Sequence, residues 1–252
     1  MSKDNLAPMV CWTGGKSKLK KRILALIPKD HDTYVEPFIG GGSVYFSKPL
    51  AKKTVINDKD KELISFYKGF KNTKCGQILS CPLPTNKKQF KKALDKKNKS
   101  VCNFLQVNKR GYGCKTKSPT FGNAGGSKTA GIKNIAKNCE DYKAKLDKTT
   151  ILNQDWQKVF KKYDSKKTFT YLDPPYHEAW GYGKGLDGVT PEAVCSLVKK
   201  SKGKVLLSYN NHPTVLKACK GLKIRKVATK YELQKSITKD PKNVTELLIS
   251  NY

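Results

Sequence analysis

The chain has 252 residues, a formal net charge of +31 and a sequence pI of about 9.8. That length buries one substantial core, or one core plus a small lobe, and the charge predicts a polyanionic partner, nucleic acid being the commonest, with a solvated lysine-rich surface as the bland alternative. No stretch approaches the ~20 apolar residues of a membrane span, and Met1 to Lys20 has no apolar signal core. These features point away from membrane and secreted classes and toward a soluble intracellular protein.

Apolar runs of strand length alternate with amphipathic stretches, which predicts an α/β sheet. A first helix is expected over Ser17 to Ile27, with Leu19, Ile23, Leu26 and Ile27 at helical spacing and Pro28 stopping it. A strand follows over Thr33 to Phe38, then a glycine turn and a short helix from Ser43. A second strand ends at Ile56, and Asp58 is expected to open a helix running through Phe70. From Lys71 to Lys148 lysine, asparagine and glycine rise and the pattern loosens. This segment reads as a small, mainly helical lobe inserted into a sheet domain made of 1–70 and 149–252. Long surface loops are the alternative, though a structureless insertion of that length is improbable in a compact domain. The α/β pattern resumes with strands at Thr150 to Leu152, Phe169 to Leu172 and Lys204 to Ser208, and helices at Pro191 to Lys200 and His212 to Cys219. Two closing strands, near Lys223 to Tyr231 and Val244 to Ser250, have no helix between them and are expected to pair antiparallel.

Of the 51 basic residues only Arg22, Arg110 and Arg225 are arginines. Lysine is a hydrated point charge suited to phosphate, so Arg110 stands out as a potential bidentate reader of guanine. The eight cysteines show no C-x-x-C pair and no zinc-ligand spacing, and the three histidines are scattered, so no metal site is expected. Reduced cysteines are expected, as in most intracellular proteins.

Two motifs carry chemistry. In Glu36-Pro37-Phe38-Ile39-Gly40-Gly41-Gly42-Ser43 a strand runs into three glycines and then a helix, which lets backbone approach a ligand at the carboxyl edge of a sheet. Asp58 lies 18 residues after Gly40, where nucleotide-binding α/β folds place a carboxylate on ribose hydroxyls. Together they predict an adenosine-containing cofactor; alone, the glycines could be a tight turn. The second motif, Asp173-Pro174-Pro175-Tyr176, ends a central strand. Its prolines rigidify the exit and leave the Pro174 carbonyl as an acceptor beside a carboxylate and an aromatic ring. An exocyclic amine on a purine is a poor nucleophile because its lone pair is delocalised. A carboxylate and a carbonyl accepting its two hydrogens would localise that pair, while a stacked ring holds the base. A rigid turn with a buried tyrosine is the bland reading of such a motif taken alone.

With Trp12-Thr13-Gly14-Gly15-Lys16 ahead of them, in that order, these motifs resemble the Dam-type (D12 class) adenine-N6 DNA methyltransferases. The resemblance spans nearly the whole chain. It implies a Rossmann-like sheet using S-adenosylmethionine (SAM), acting on an adenine rotated out of duplex DNA. It further implies that Trp12 and Lys16 contact SAM, that Phe38 and the glycine turn (Gly40, Gly42, with Glu36, Pro37 and Ser43 in the same motif) flank its methionine part, and that Asp58 holds its ribose. Asp155 and Trp156 look like the acidic-aromatic pair beside the cofactor adenine, and Asp173 would sit between cofactor and target amine. Neither a metal nor a general base is needed, because the SAM sulfonium makes its methyl electrophilic.

Asn108-Lys109-Arg110-Gly111-Tyr112-Gly113 and Pro119-Thr120-Phe121-Gly122 are similar to the family's target-recognition segment. Asn108, Lys109, Arg110, Tyr112, Lys115 and Lys117 form the expected DNA-binding set, although Tyr112 can equally be a packed loop aromatic. The Asn-Gly-Leu that usually follows is replaced by Gly113-Cys114-Lys115, and Cys11 stands where members reading GATC carry lysine, so the bases read stay open. The loop His177 to Gly188, with Trp180, Tyr182 and four glycines, suits a lid or a plain flexible loop, and Ser208-Tyr209-Asn210 ends a strand at the active edge. A cognate restriction endonuclease is a candidate partner. Competing readings are a SAM-dependent RNA-adenine or protein-amide methyltransferase, a catalytically silent DNA-binding protein on the same fold and, least well supported, an oxidoreductase.

Overall fold

Seven strands frame the protein: β1 Thr33–Glu36, β2 Lys53–Asn57, β3 Thr149–Leu152, β4 Thr168–Leu172, β5 Lys204–Asn210, β6 Lys223–Lys230 and β7 Asn243–Ser250. The computed structural model describes residues 5–95, 100–114, 118–122, 130–176, 188–230 and 243–252. The strands form one sheet in the order β3-β2-β1-β4-β5-β7-β6. β1 runs parallel to β2 and β4, and β4 parallel to β5, while β7 lies antiparallel to both β5 and β6. This is an α/β sheet closed by an antiparallel C-terminal pair, as the strand pattern predicts, and it is Rossmann-like, as the family resemblance implies. β4 is buried along its whole length, the usual state of a parallel strand covered on both faces.

Two consequences of this order position the site. The chain builds outward from β1 through β2 to β3 and then returns to β4 on the other side of β1. The order therefore reverses between β1 and β4, the switch point where open α/β sheets bind ligands outside the carboxyl ends of their strands. Because β7 runs antiparallel, its first residues reach that same carboxyl edge, with Glu246 opposite Asn210, the last residue of β5.

The helices are α1 Lys20–Ala25, α2 Lys61–Asn72, α3 Cys75–Leu79, α4 Lys87–Leu94, α5 Val101–Arg110, α6 Ile132–Lys137, α7 Cys139–Asp147, α8 Trp156–Tyr163, α9 Pro191–Lys200 and α10 Pro213–Ala218. α1 is shorter at both ends than its apolar spacing predicts, and the short helix after Ser43 is a single 3-10 turn, Tyr45–Ser47. α2 is opened by Asp60, whose side chain accepts from the Leu63 amide at 2.9 Å, rather than by Asp58. α8, absent from the sequence expectation, is capped by Asp155 and buries Trp156, Val159 and Phe160 on one side.

The chain packs as two units. The first comprises Met1–Ser17, Ile39–Leu50 and Asn57–Gln154. Its core is aromatic: Phe66 of α2 stacks on Phe104 of α5 at 4.7 Å between centroids, and Phe46 meets Tyr142 edge-on at 5.4 Å. Such pairs add about 0.5–1.5 kcal/mol beyond their area burial. Lys145 is fully buried there, its amine donating to the Lys48 carbonyl, which meets the requirement that a buried ammonium find an acceptor. The second unit comprises Lys18–Phe38, Ala51–Ile56 and Asp155–Tyr252. Val205, Leu207 and Tyr209 of β5 and Leu247 and Ile249 of β7 alternate with period two. Together they present one apolar face to α8, α9 and α10.

The cysteines correct the expectation of free thiols. All eight are paired, as Cys11–Cys114, Cys75–Cys139, Cys81–Cys102 and Cys195–Cys219. Their sequence separations of 103, 64, 21 and 24 make these tertiary contacts, which short-range spacing rules cannot register. Among the described residues no helix is long and apolar enough to cross a membrane.

Candidate active site

In the first unit the glycine turn is built from three directions. Gly40 and Gly42 have φ of +46° and +71°, a region that disfavours any side chain. A Cβ on Gly40 would lie 2.7 Å from Cδ1 of Trp12, so the indole of the N-terminal motif packs directly on the turn. The Gly40 amide donates to Asp58 Oδ2 at 3.0 Å, and Tyr67 OH donates to the Gly40 carbonyl at 2.8 Å. Asp58 Oδ1 accepts from the Asp60 amide at 3.0 Å. Asp58 thus braces the turn with one oxygen and the approach to α2 with the other. Its burial, only partly offset by these amides, pushes the carboxyl up to about 6.

Lys16 is 3% exposed, and its amine donates to the Gly14 carbonyl at 2.7 Å. Ser17 and Ser43 hydroxyls meet at 3.2 Å, tying the end of the N-terminal motif to the residue that follows the glycines. The ammonium is therefore a built feature of the segment and not a surface lysine.

The residues expected to bind DNA occupy the C-terminal end of α5 and a small hairpin beyond it. Tyr112 N donates to Thr120 O and Gly122 N to Arg110 O, each at 2.8 Å, around a bridge between Gly111 and Phe121. Tyr112 is 49% exposed, with one side of its ring against Gly122. Asn108 does something the sequence did not suggest. Its amide oxygen accepts from Cys11 N and its amide nitrogen donates to Cys11 O, both at 2.8 Å, clamping the peptide just before Trp12. Lys109 is held partly out of water, which lowers its ammonium to about 8. Arg110 ends α5. Lys115, Lys117 and residues 177–187 of the expected lid lie outside the described residues.

In the second unit the two chemical motifs leave neighbouring strands. Thr33, Tyr34 and Val35 of β1 pair with Thr168, Phe169 and Thr170 of β4. Glu36-Pro37-Phe38 and Asp173-Pro174-Pro175-Tyr176 therefore emerge side by side at the carboxyl edge. Glu36 is 2% exposed and accepts from Tyr34 OH at 2.6 Å. Phe38 packs on Trp156 at 5.4 Å, and Asp155 spends Oδ1 on the amides of Gln157 and Lys158. Tyr176 stacks on Tyr209 at 5.8 Å and 21°, and its hydroxyl donates to Glu246 Oε2 at 2.5 Å. Burial, then the charges of Asp173 and Glu246, hold the Tyr176 phenol far above its ordinary range. Tyr171, whose hydroxyl meets Ser208 at 2.8 Å, is raised the same way, burial first and then Asp173, with smaller effects of Glu36 and Glu246. The edge is thus an anionic neighbourhood of three carboxylates around two neutral phenols. Glu246 was missed in the sequence; its one signal is a lone carboxylate in the apolar strand Val244-Thr245-Glu246-Leu247-Leu248-Ile249.

A family model described as the D12 class N6 adenine-specific DNA methyltransferase matches residues 12–233. The chain is 27% identical to the Type II methyltransferase M1.LlaDCHI of Lactococcus lactis subsp. cremoris, over all of this chain and 97% of that protein. It is 26% identical to the Type II methyltransferase M.CviBI of Paramecium bursaria Chlorella virus NC1A, over 98% of this chain and all of the relative. Against the DNA adenine methylase of Haemophilus influenzae it is 24% identical over 93% of this chain and 88% of that enzyme.

Proposed function

The chain belongs to the D12 class N6 adenine-specific DNA methyltransferase family and is a SAM-dependent DNA adenine methyltransferase, and from that premise we propose the roles of its residues. The observation that carries the reading is the exit of Glu36-Pro37-Phe38 and Asp173-Pro174-Pro175-Tyr176 from adjacent parallel strands at the switch point.

The donor set fits SAM. A buried ammonium at Lys16 suits its carboxylate. Glycines without side chains admit its methionine part beside Phe38, with Glu36, Pro37 and Ser43 shaping the turn around them. The carboxylate of Asp58 suits the ribose diol, and Trp12, Asp155 and Trp156 are the further residues we assign to the cofactor. Bound SAM supplies an electrophilic methyl group on a sulfonium. Asp173 and the Pro174 carbonyl accept the two hydrogens of the target amine, which localises the nitrogen lone pair, and Pro175 fixes that backbone. Tyr176 stacks on the flipped base. The proton released from the amine leaves through Asp173 to solvent. Glu36 and Asp173 together favour the positive charge that the amine acquires.

Residues 71–148 serve as the target-recognition lobe. Tyr112 wedges into or stacks on the duplex, Arg110 reads base edges, and Lys109, Lys115 and Lys117 hold phosphates. Asn108 also positions the N-terminal motif through Cys11, leaving one amide hydrogen and one oxygen lone pair for DNA. The Type II designation of two relatives supports a cognate restriction endonuclease as partner, and a DNA substrate supports an intracellular site of action. The test is nucleoside analysis of duplex DNA incubated with the protein and methyl-labelled SAM. Label in N6-methyladenine is expected; label in cytosine, or none, contradicts the reading.

A further inference from the structure

We propose that Glu246 is a positioning residue for methyl transfer, holding the Tyr176 ring in register for the target base and making that ring electron-rich. The inference rests on the assignment of Tyr176 as the stacking platform. Its own basis is geometric. Glu246 is 0% exposed in β7, its Oε2 takes the Tyr176 hydroxyl at 2.5 Å, and Tyr209 stacks on the ring at 5.8 Å and 21°. Two contacts at different points thus immobilise the phenol, one against its plane and one at its oxygen.

A structural purpose alone does not account for the carboxylate. Its Oε1 is buried and has no hydrogen-bond partner among the described residues, and a buried charge so incompletely satisfied generally stabilises a fold less than an apolar residue of similar size. Cross-strand neighbours Asn210 and Val227 do not require an acid there. What the acid does provide is charge at the right place. A phenol donating a short hydrogen bond to a carboxylate carries more electron density in its ring. Such a ring attracts a cation on its face more strongly, and the base stacked there becomes cationic as its amine takes the methyl group. The interaction is weak with the neutral adenine and stronger as charge develops, which is the condition for raising rate instead of affinity. The antiparallel direction of β7 is what brings this residue, remote in sequence from both motifs, to the catalytic edge.

The test is a double-mutant cycle of Glu246→Gln and Tyr176→Phe read as single-turnover methylation, with SAM and duplex binding measured for each. Glu246→Gln is expected to slow methyl transfer by about 10–100-fold, the range of a hydrogen bond to a charged group, while both affinities stay within about twofold. In the Tyr176→Phe background the same change is expected to have no further effect. A Glu246→Gln rate within about twofold of the unaltered enzyme, or an equal loss in both backgrounds, overturns the proposal. In protein carrying 3-fluorotyrosine, the resonance that vanishes in Tyr176→Phe is expected to shift in Glu246→Gln; an unmoved resonance also overturns it. That readout needs no turnover, so failure of the adenine assignment shows as an inert unaltered enzyme, whereas failure of the Glu246 role shows in the spectrum.

Discussion

The carboxyl edge of the sheet and the hairpin proposed for recognition treat Tyr176 and Tyr112 in opposite ways. At the edge, Tyr171 and Tyr176 are both hydrogen-bonded, to Ser208 and Glu246, and both lie within reach of buried carboxylates. In the hairpin, Tyr112 stands 49% exposed beside a bridge between Gly111 and Phe121, with no side-chain hydrogen bond of its own among the described residues. Chemistry requires groups whose reorganisation has already been accomplished in folding. Reading a duplex requires groups that can reach out and adapt. The sequence places an aromatic residue and glycines in both, so composition alone does not separate the two tasks; burial and hydrogen bonding do.

That contrast breaks most severely where a side chain is forced into the preorganised part. Gly40→Val introduces a Cβ 2.7 Å from the Trp12 indole at a φ of +46°. Strain of that kind, about 1–3 kcal/mol before the clash is counted, is expected to weaken SAM binding by 10–100-fold or more in titration calorimetry while duplex binding persists. Unchanged SAM affinity would remove the turn from the cofactor site. Tyr112→Ala makes the complementary cut. Loss of about 1–3 kcal/mol of base stacking is expected to weaken duplex binding by about tenfold and leave SAM affinity intact. A loss of both would mean that the hairpin supports the fold instead of reading DNA.

The smallest effect over the first pH unit comes from Asp58. Asp58, normally near 3.8, is raised to about 6, so between about pH 4 and pH 6 the folded protein binds a proton that the unfolded chain does not. Ionising Asp58 therefore opposes folding, and its contribution to stability falls as pH rises through this window. Ribose hydroxyls donate to the ionised form, which reverses the sign for the ligand: SAM affinity is expected to fall by up to about tenfold per pH unit below pH 6. Asp58→Asn should flatten that profile. A wild-type profile flat to pH 5 would show that the carboxylate does not meet the ribose.

What the sequence disclosed followed from contiguity. The glycine turn, Asp173 to Tyr176 and the parallel strands are each carried by adjacent residues, and the antiparallel closing pair was legible because no helical period separates its strands. The features that escaped depend on partners far along the chain. Asp58 and Asp60 are equally good caps by spacing; the Gly40 amide recruits the first and leaves the second to open α2. The clamp of the Asn108 amide on Cys11 joins residues 97 apart, which local spacing does not reveal. The cysteine pairs span separations as large as 103 residues. Glu246 could have been suspected as a lone acid in an apolar strand, but only the insertion of β7 beside β5 gives it Tyr176. α8, by contrast, was available: Asp155 at its cap and Trp156, Val159 and Phe160 at helical spacing carry the whole signal.

Methyl transfer in this reading depends on Asp173 accepting a hydrogen bond from the target amine. Single-turnover methylation by Asp173→Ala, measured with duplex binding on the same preparation, tests that most directly. The expected result is a rate lower by about 100–1000-fold, as for removal of one preorganised hydrogen-bonding group, with duplex affinity nearly unchanged. A variant that binds DNA and methylates adenine at the unaltered rate would contradict it.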